Sequence, residues 1–319
     1  LIREYNIRKE NTVIEIASND GYLLKHVKEK EINYYGIEPA KNIAIKANKK
    51  KITTVNKYLN TKTSKEILKK YKKGDLIIAN NVFAHVPDIH DFVQSIIKLM
   101  NENCIVCIEV PHLKQLIKHN QFDTIYHEHF YYFSLSSIKK IFNKYDMKII
   151  NVDKIKTHGG SLRVHICKKK NKIKINNVVS RILLEEKQFG LNKNYKYQEY
   201  NKKINLLRLN IQKFINDNRG KIIYGFGAAA KACTLINFCN LNLDTIKYIY
   251  DETPAKVGKY IPGTNIKVIR FSNKINKKVD IIIIFPWNHY KEIKSKIKNA
   301  KKSKIKLVRF IPKISIEII

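Results

Sequence analysis

The sequence is poor in the features that mark several protein classes. No apolar run approaches the roughly 20 residues needed to span a bilayer. The strongest run, residues 281–285, is only of strand length. The N-terminus lacks the charged-then-apolar pattern of a secretory leader, so the cytoplasm is the expected location. The chain begins with Leu1 rather than Met, and a fragment of something longer is expected. Five cysteines among 319 residues supply no disulfide framework. Cys104 and Cys107 form a C-x-x-C, but within an apolar run that reads as a buried strand. Residues three apart on a strand face opposite sides, so no metal site is expected there.

Acidic residues are also scarce, 27 against 62 Lys and Arg, which gives a formal charge of +35. The lysines are spread over the whole chain, and no basic stripe carries interleaved aromatics. The excess therefore reads as a solvated surface, with neither nucleic acid nor membrane expected as a partner. Such a field still favours a phosphorylated substrate. With 44% hydrophobic residues and no repeat or low-complexity tract, the chain is long enough for two ordinary cores.

What is present is an alternation of short apolar strands and helices. Strands are expected over residues 12–17, 34–37, 51–55, 75–79 and 104–110, with helices between, for example 22–28 and 89–100. Continuous apolar strands of this length suit a parallel sheet covered on both faces. Residues 147–154 and 161–168 read as an antiparallel pair joined by Thr157-His158-Gly159-Gly160. A parallel sheet finished by such a pair is closer, by analogy, to methyltransferase sheets than to dehydrogenase sheets. Residues 173–218 are polar with helical spacing (Ile204, Leu207, Ile211, Phe214) and read as one or two linking helices ended by Arg219-Gly220. A second strand-turn-helix unit follows, with strands at 221–224, 246–250 and 279–285. The expected architecture is α/β: a Rossmann-type domain over 1–170, a helical linker over 171–218, and a smaller Rossmann-like α/β domain over 219–319.

Ligands of open α/β sheets bind beyond the carboxyl ends of the strands. The turn after the first strand, Glu15-Ile16-Ala17-Ser18-Asn19-Asp20-Gly21, is acid-rich and has a glycine for close backbone approach. Glu38-Pro39 closes the second strand, where a carboxylate can accept ribose hydroxyls, and Asn81 follows the fourth. The first turn lacks the G-x-G-x-x-G diphosphate fingerprint, which argues against a dinucleotide. S-adenosylmethionine (SAM) fits better, with its ammonium on Asn19 and Asp20. The site is therefore expected to comprise Glu15, Ala17, Asn19, Asp20, Gly21, Glu38, Pro39 and Asn81. Each acid could instead simply cap the turn.

The segment Phe122-Asp123-Thr124-Ile125-Tyr126-His127-Glu128-His129-Phe130 crowds ionisable groups among aromatics, a setting that tunes a histidine toward a working base. His-Glu-His lacks an obvious third ligand, and no metal is expected.

At these residues the sequence resembles the SAM-dependent C-methyltransferases that act on nucleotide-linked 4-keto deoxysugars. The matching strings are Glu15 to Leu24, Gly36-Ile-Glu-Pro-Ala40, Asn81 to Asp88, Glu109-Val-Pro-His112, Phe122 to Phe130, His158 to Arg163, Tyr224-Gly-Phe-Gly-Ala-Ala-Ala-Lys231, Pro262-Gly-Thr264 and Pro286-Trp-Asn288. They run in family order over nearly the whole chain. The resemblance implies that His129 removes the C3 proton acidified by the C4 ketone. The enolate carbon then attacks the SAM methyl in line, which needs no metal. Tyr126 and Glu128 would orient base or sugar, and His85 would stabilise the enolate oxygen. It also implies that the C-terminal domain faces the first and holds the nucleotide-sugar between them. Gly225, Gly227 and Ala228 would offer amides to the diphosphate, with Lys231 and Asn288 beside them. The competing reading of that turn is an NAD site with Asp251 on the ribose, which would make the chain an oxidoreductase. Family members carry an N-terminal zinc-binding module with paired cysteines, absent here, so a truncated fragment or an incomplete substrate pocket is expected. The other readings are a methyltransferase of an O- or N-acceptor, and a non-catalytic remnant that binds nucleotide-sugars.

Overall fold

The computed structural model describes residues 1–272, 275, 276, 278–300 and 304–319. Two sheets organise the chain. The first contains β1 (Thr12–Ile16), β2 (Asn33–Ile37), β3 (Thr54–Val55), β4 (Gly74–Asn80), β5 (Met100–Pro111), β6 (Met147–Ile155) and β7 (Ser161–Lys168), in the order β3-β2-β1-β4-β5-β7-β6. β1 to β5 pair in parallel, and β7 pairs antiparallel with both β5 and β6. The second contains β8 (Ile223–Phe226), β9 (Tyr248–Asp251), β10 (Lys267–Arg270), β11 (Ile281–Ile284), β12 (Lys306–Arg309) and β13 (Ser315–Ile318), in the order β10-β9-β8-β11-β12-β13, with only β12 and β13 antiparallel. The helices are α1 (Leu24–Lys28), α2 (Lys41–Lys49), α3 (Thr61–Ile67), α4 (Ile89–Leu99), α5 (Leu113–Lys118), α6 (Leu135–Asn143), α7 (Asn177–Phe189), α8 (Asn194–Asp217), α9 (Ala230–Phe238) and α10 (Tyr290–Ala300).

The expected parallel sheet with a terminal antiparallel hairpin is therefore present, and so is the second α/β unit. All five residues of β1 are buried, which accounts for its apolar Val13, Ile14 and Ile16 and makes the buried Glu15 stand out. Ile14, Ile77 and Val106 enter one core and Val13, Leu76 and Ile105 the other, so alternate residues pack on opposite faces. Cys104 and Cys107 divide between the same two cores, as their spacing on a strand requires.

The chain forms two compact units that do not follow the sequence linearly: Leu1–Leu113 with Glu128–Asn192, and Lys114–His127 with Lys193–Ile319. The stretch read as a linker is shared out between them. Val179 and Ile182 of α7 lie in the core of the first unit, while α8 belongs to the second. Amphipathic spacing marks a buried face but not which core will receive it.

A buried carboxylate fixes α7 to the first unit. Glu186 is 1% exposed, accepts the Leu135 and Ser136 amides at the start of α6 at 2.6 and 2.9 Å, and meets His112 Nε2 at 2.9 Å. Removing it leaves two helix amides and a buried imidazole unpaired. Glu186→Ala is expected to lower unfolding free energy by about 3 kcal/mol, read from urea denaturation. A loss below about 1 kcal/mol would mean that water replaces the carboxylate.

Candidate cofactor and active site

In each sheet the strand order reverses between two neighbours, β1 and β4 in the first and β8 and β11 in the second, and ligand crevices open at such points. In the first unit, Ala17, Asn19 and Gly21 all take positive φ (55°, 52° and 80°), so the chain turns sharply off β1. A Cβ on Gly21 would stand 2.7 Å from Ile52 Cγ2, which restricts that position to glycine. Asn81, also at positive φ (53°), leaves β4 with its amide on the Glu109 carbonyl at 2.8 Å.

Glu38 connects these turns. One carboxylate oxygen accepts the Asn19 amide and the other the Ala40 amide, both at 2.9 Å. Each oxygen keeps a second lone pair, so a role as a staple and a role in binding ribose are compatible. Glu15 is 2% exposed, and burial followed by the charge of Glu38 pushes its carboxyl up to about 8. Glu15 Oε2, Ser18 Oγ and Asn81 Oδ1 are buried with no hydrogen-bond partner among the described residues. Buried polar atoms are rarely left so, and a donor-rich cation such as an amino-acid ammonium would satisfy them. At the carboxyl edge of the same sheet, with none of these three residues in its lining, is a cavity of about 340 Å³ lined by Ile16, Ala17, Pro39, Leu59, Val82 and His85, among others. Its walls are largely apolar, as a flat purine requires. The residues present thus fit SAM. Asp20 departs from the expected cluster: its carboxylate meets Lys50 Nζ at 2.6 Å, and it lines a separate cleft with Tyr22 and Lys25. That contact holds its carboxyl below the usual range.

The histidines lie close by. The His129 ring stands 4.8 Å from that of His85 and 6.0 Å from that of Tyr132. The Phe130 amide donates to the Ala84 carbonyl at 2.9 Å, which ties the histidine segment to the turn after β4. Glu128 is exposed, and Tyr126 falls in the second unit, three residues from His129 but on the other side of the division at 127/128. Two matching strings distant in sequence also meet: Glu109 accepts from Arg163 Nη2 and Thr157 Oγ1, both at 3.1 Å.

In the second unit, Gly227 at φ 88° presses against Pro286, whose Cγ would lie 2.3 Å from any Cβ there. Lys231 donates to Asn288 Oδ1 at 3.0 Å and lies 4.1 Å above the Trp287 ring. Asp251 closes β9 and accepts the Ala228 and Thr253 amides at 2.7 and 2.8 Å. This repeats the Glu38 arrangement in the other sheet, with each acid at the end of a second strand. No group of three or more His, Cys, Asp or Glu side chains suited to a metal occurs among the described residues, and no described helix is long and apolar enough to cross a membrane.

Comparison with known proteins adds to this geometry. Residues 2–152 match the family described as methyltransferase domain, and residues 156–312 match the C-methyltransferase C-terminal domain. The junction of the two matches falls in the β6–β7 hairpin, inside one sheet. The C-methyltransferase NovU of Streptomyces niveus is 30% identical over 283 residues, which span 88% of this chain and 67% of that protein. Among solved structures, a SAM-dependent methyltransferase from Anabaena variabilis is 14% identical with a TM-score of 0.44, covering 52% of this chain and 82% of its own. Magnesium protoporphyrin IX methyltransferase from Synechocystis is 14% identical with a TM-score of 0.42, covering 53% and 78%.

Proposed function

The chain belongs to the SAM-dependent C-methyltransferase family, and from that premise we propose that it methylates carbon C3 beside the keto group of a nucleotide-linked 4-keto deoxysugar. The observation that carries this reading is the His129–His85 pair, 4.8 Å apart with His85 lining the cavity at the carboxyl edge of the first sheet. Methylation of carbon starts from a C–H acid too weak to ionise unaided, so a positioned base is the first requirement.

SAM is the cofactor; when bound it supplies an electrophilic methyl on a sulfonium, and no metal is needed to activate it. Glu15, Asn81 and the carbonyls of the 17–21 turn hold its amino-acid end, Glu38 its ribose, and Ala17 and Pro39 flank the base. His129 takes the C3 proton of the sugar. His85 donates to the oxygen that becomes an enolate. Tyr126 and Glu128 orient the sugar. In the second unit, the Gly225-x-Gly227 turn offers backbone amides, including that of Ala228, to the diphosphate. Lys231 and Asn288 hold the nucleotide end.

The test is the product. Incubation with SAM and a thymidine-diphosphate 4-keto-6-deoxysugar should give S-adenosylhomocysteine and one methylated sugar, with the new carbon–carbon bond at C3 by NMR. A methyl found on oxygen or nitrogen, or an absence of turnover, would overturn the assignment.

A further inference from the structure

The motif segment 122–130 contains one acid that the reaction outlined above does not use. Asp123 is 1% exposed, in the short turn Phe122–Thr124. Its Oδ2 accepts the Trp287 indole N–H at 2.7 Å, while Oδ1 has no partner among the described residues. Burial pushes its carboxyl up to about 6, against the pull of Lys231. Both partners sit at the switch point of the second sheet, Trp287 just after β11 and Lys231 in the first turn of α9 after β8. The Phe122 ring packs 4.9 Å from Phe238 at the end of α9, which gives the turn a second anchor. Within the turn, the Thr124 and Ile125 amides bond back to Gln121 and Phe122. Residues 114–127 thus belong to the second unit because of this contact set, and Tyr126 lies three residues beyond Asp123.

Resting on the methyl-transfer reading, we infer that Asp123 is a positioning residue: by gripping Trp287 it fixes the strip that carries Tyr126 to the substrate edge of the second sheet. A buried carboxylate with a vacant oxygen is costly to maintain, and a neutral apolar anchor would pack the turn as well. What the acid adds is a directional bond to the edge of a planar ring whose face contacts Lys231. A small misplacement of an orienting group is enough to cost about 100-fold in rate.

Trp287 is the only tryptophan in the chain, so tryptophan emission comes from this site alone. The charged or titratable groups near it are Asp123, Lys231 and His289, the last exposed and facing Glu292. In the wild type its emission should titrate with a midpoint near 6, and in Asp123→Asn that step should vanish. Asp123→Ala and Trp287→Phe should each lower kcat by about 100-fold while SAM affinity and the melting temperature hold. Asp123→Asn, which keeps a carbonyl acceptor, should recover most of the rate. Hydrogen exchange in the unliganded proteins gives a readout that needs no acceptor: amides 124–127 should exchange at least tenfold faster in Asp123→Ala than in the wild type. Unchanged exchange there overturns the inference, and so does a kcat within about threefold of wild type. A joint fall of kcat, SAM affinity and melting temperature would mark Asp123 as structural only, which also overturns it. Lack of wild-type turnover on the 4-keto sugar would instead refute the acceptor assignment, and the exchange result would still decide the role of Asp123.

Discussion

A His129→Ala protein is expected to bind SAM as tightly as the wild type and to methylate about 10²–10⁴-fold more slowly, the usual contribution of a general base. The two halves of this expectation have separate physical grounds. His129 is not among the residues lining the cavity proposed for the cofactor, whose walls come from the carboxyl ends of β1 and β2, from Val82 after β4, and from residues 57–60, 85–88, 91 and 92. Its ring instead packs against His85 and Tyr132, and its neighbour Phe130 is tied through the main chain to Ala84. On the proposed mechanism, losing the imidazole removes the proton acceptor without opening the pocket. Isothermal titration with SAM and a rate assay by S-adenosylhomocysteine release separate the two effects. A variant that still turns over within about tenfold of wild type would shift the base to His85. A variant that loses SAM binding would instead make His129 part of the cofactor wall. His85→Ala should show a smaller loss, because in the proposed mechanism His85 acts on the oxygen and not on the proton being removed, and it should also weaken SAM, since His85 lines the cavity.

The parts of this arrangement that were legible in the sequence are those set by local patterning. β1, β4 and β11 are mainly apolar runs because helices or further chain cover both faces, and the glycine pair 159–160 marks the β6–β7 hairpin. Glu38 stood out because it interrupts apolar sequence at a strand end. The elements that escaped notice are short or distant. β10, β12 and β13 have four residues each, as β8, β9 and β11 do, but they carry Lys, Arg or Glu and are only partly buried, so no continuous apolar run marks them. The Asp123–Trp287 bond joins residues 164 apart, and no pattern near either one signals the other. The transfer of residues 114–127 to the second unit follows from that contact and from Phe122 on Phe238, so it too lay outside what a linear division could find. Lys231 was read as a cation at a helix start and lies in the first turn of α9, and its partners, Asn288 and the Trp287 ring, come from another string of the same resemblance. Strings that match a family mark places where distant segments meet, but they do not say which atoms do so.

The second large effect should appear as a pH dependence of SAM affinity that Glu15→Gln abolishes. Glu15 is pushed up to about 8, first by burial and then by the charge of Glu38. A carboxyl whose folded value is raised is more easily kept protonated in the folded protein than in the unfolded chain. Its contribution to stability is therefore complete below the ordinary glutamate range and is lost as pH rises through about 8. Without ligand, Glu15→Gln should be more stable than the wild type at pH 8, because the isosteric amide never has to ionise. With SAM the sign reverses. An ammonium is stabilised by the ionised acid, so binding in the wild type expels a proton, and affinity should rise about tenfold per pH unit from pH 6 until it levels near pH 8. There the amine of SAM itself begins to lose its charge, since an α-amino group titrates at about 8. In Glu15→Gln the affinity should be flat from pH 6 to 7 and about 10–100-fold weaker at pH 8, the range expected for one charge-assisted hydrogen bond. Titration calorimetry in buffers of different ionisation enthalpy counts the proton directly: close to one released at pH 7 by the wild type and none by the variant. Equal affinity of the two proteins across pH 6–8 would show that Glu15 supports the 17–21 turn without touching the ligand, and Asn81 would then be the acceptor to substitute next.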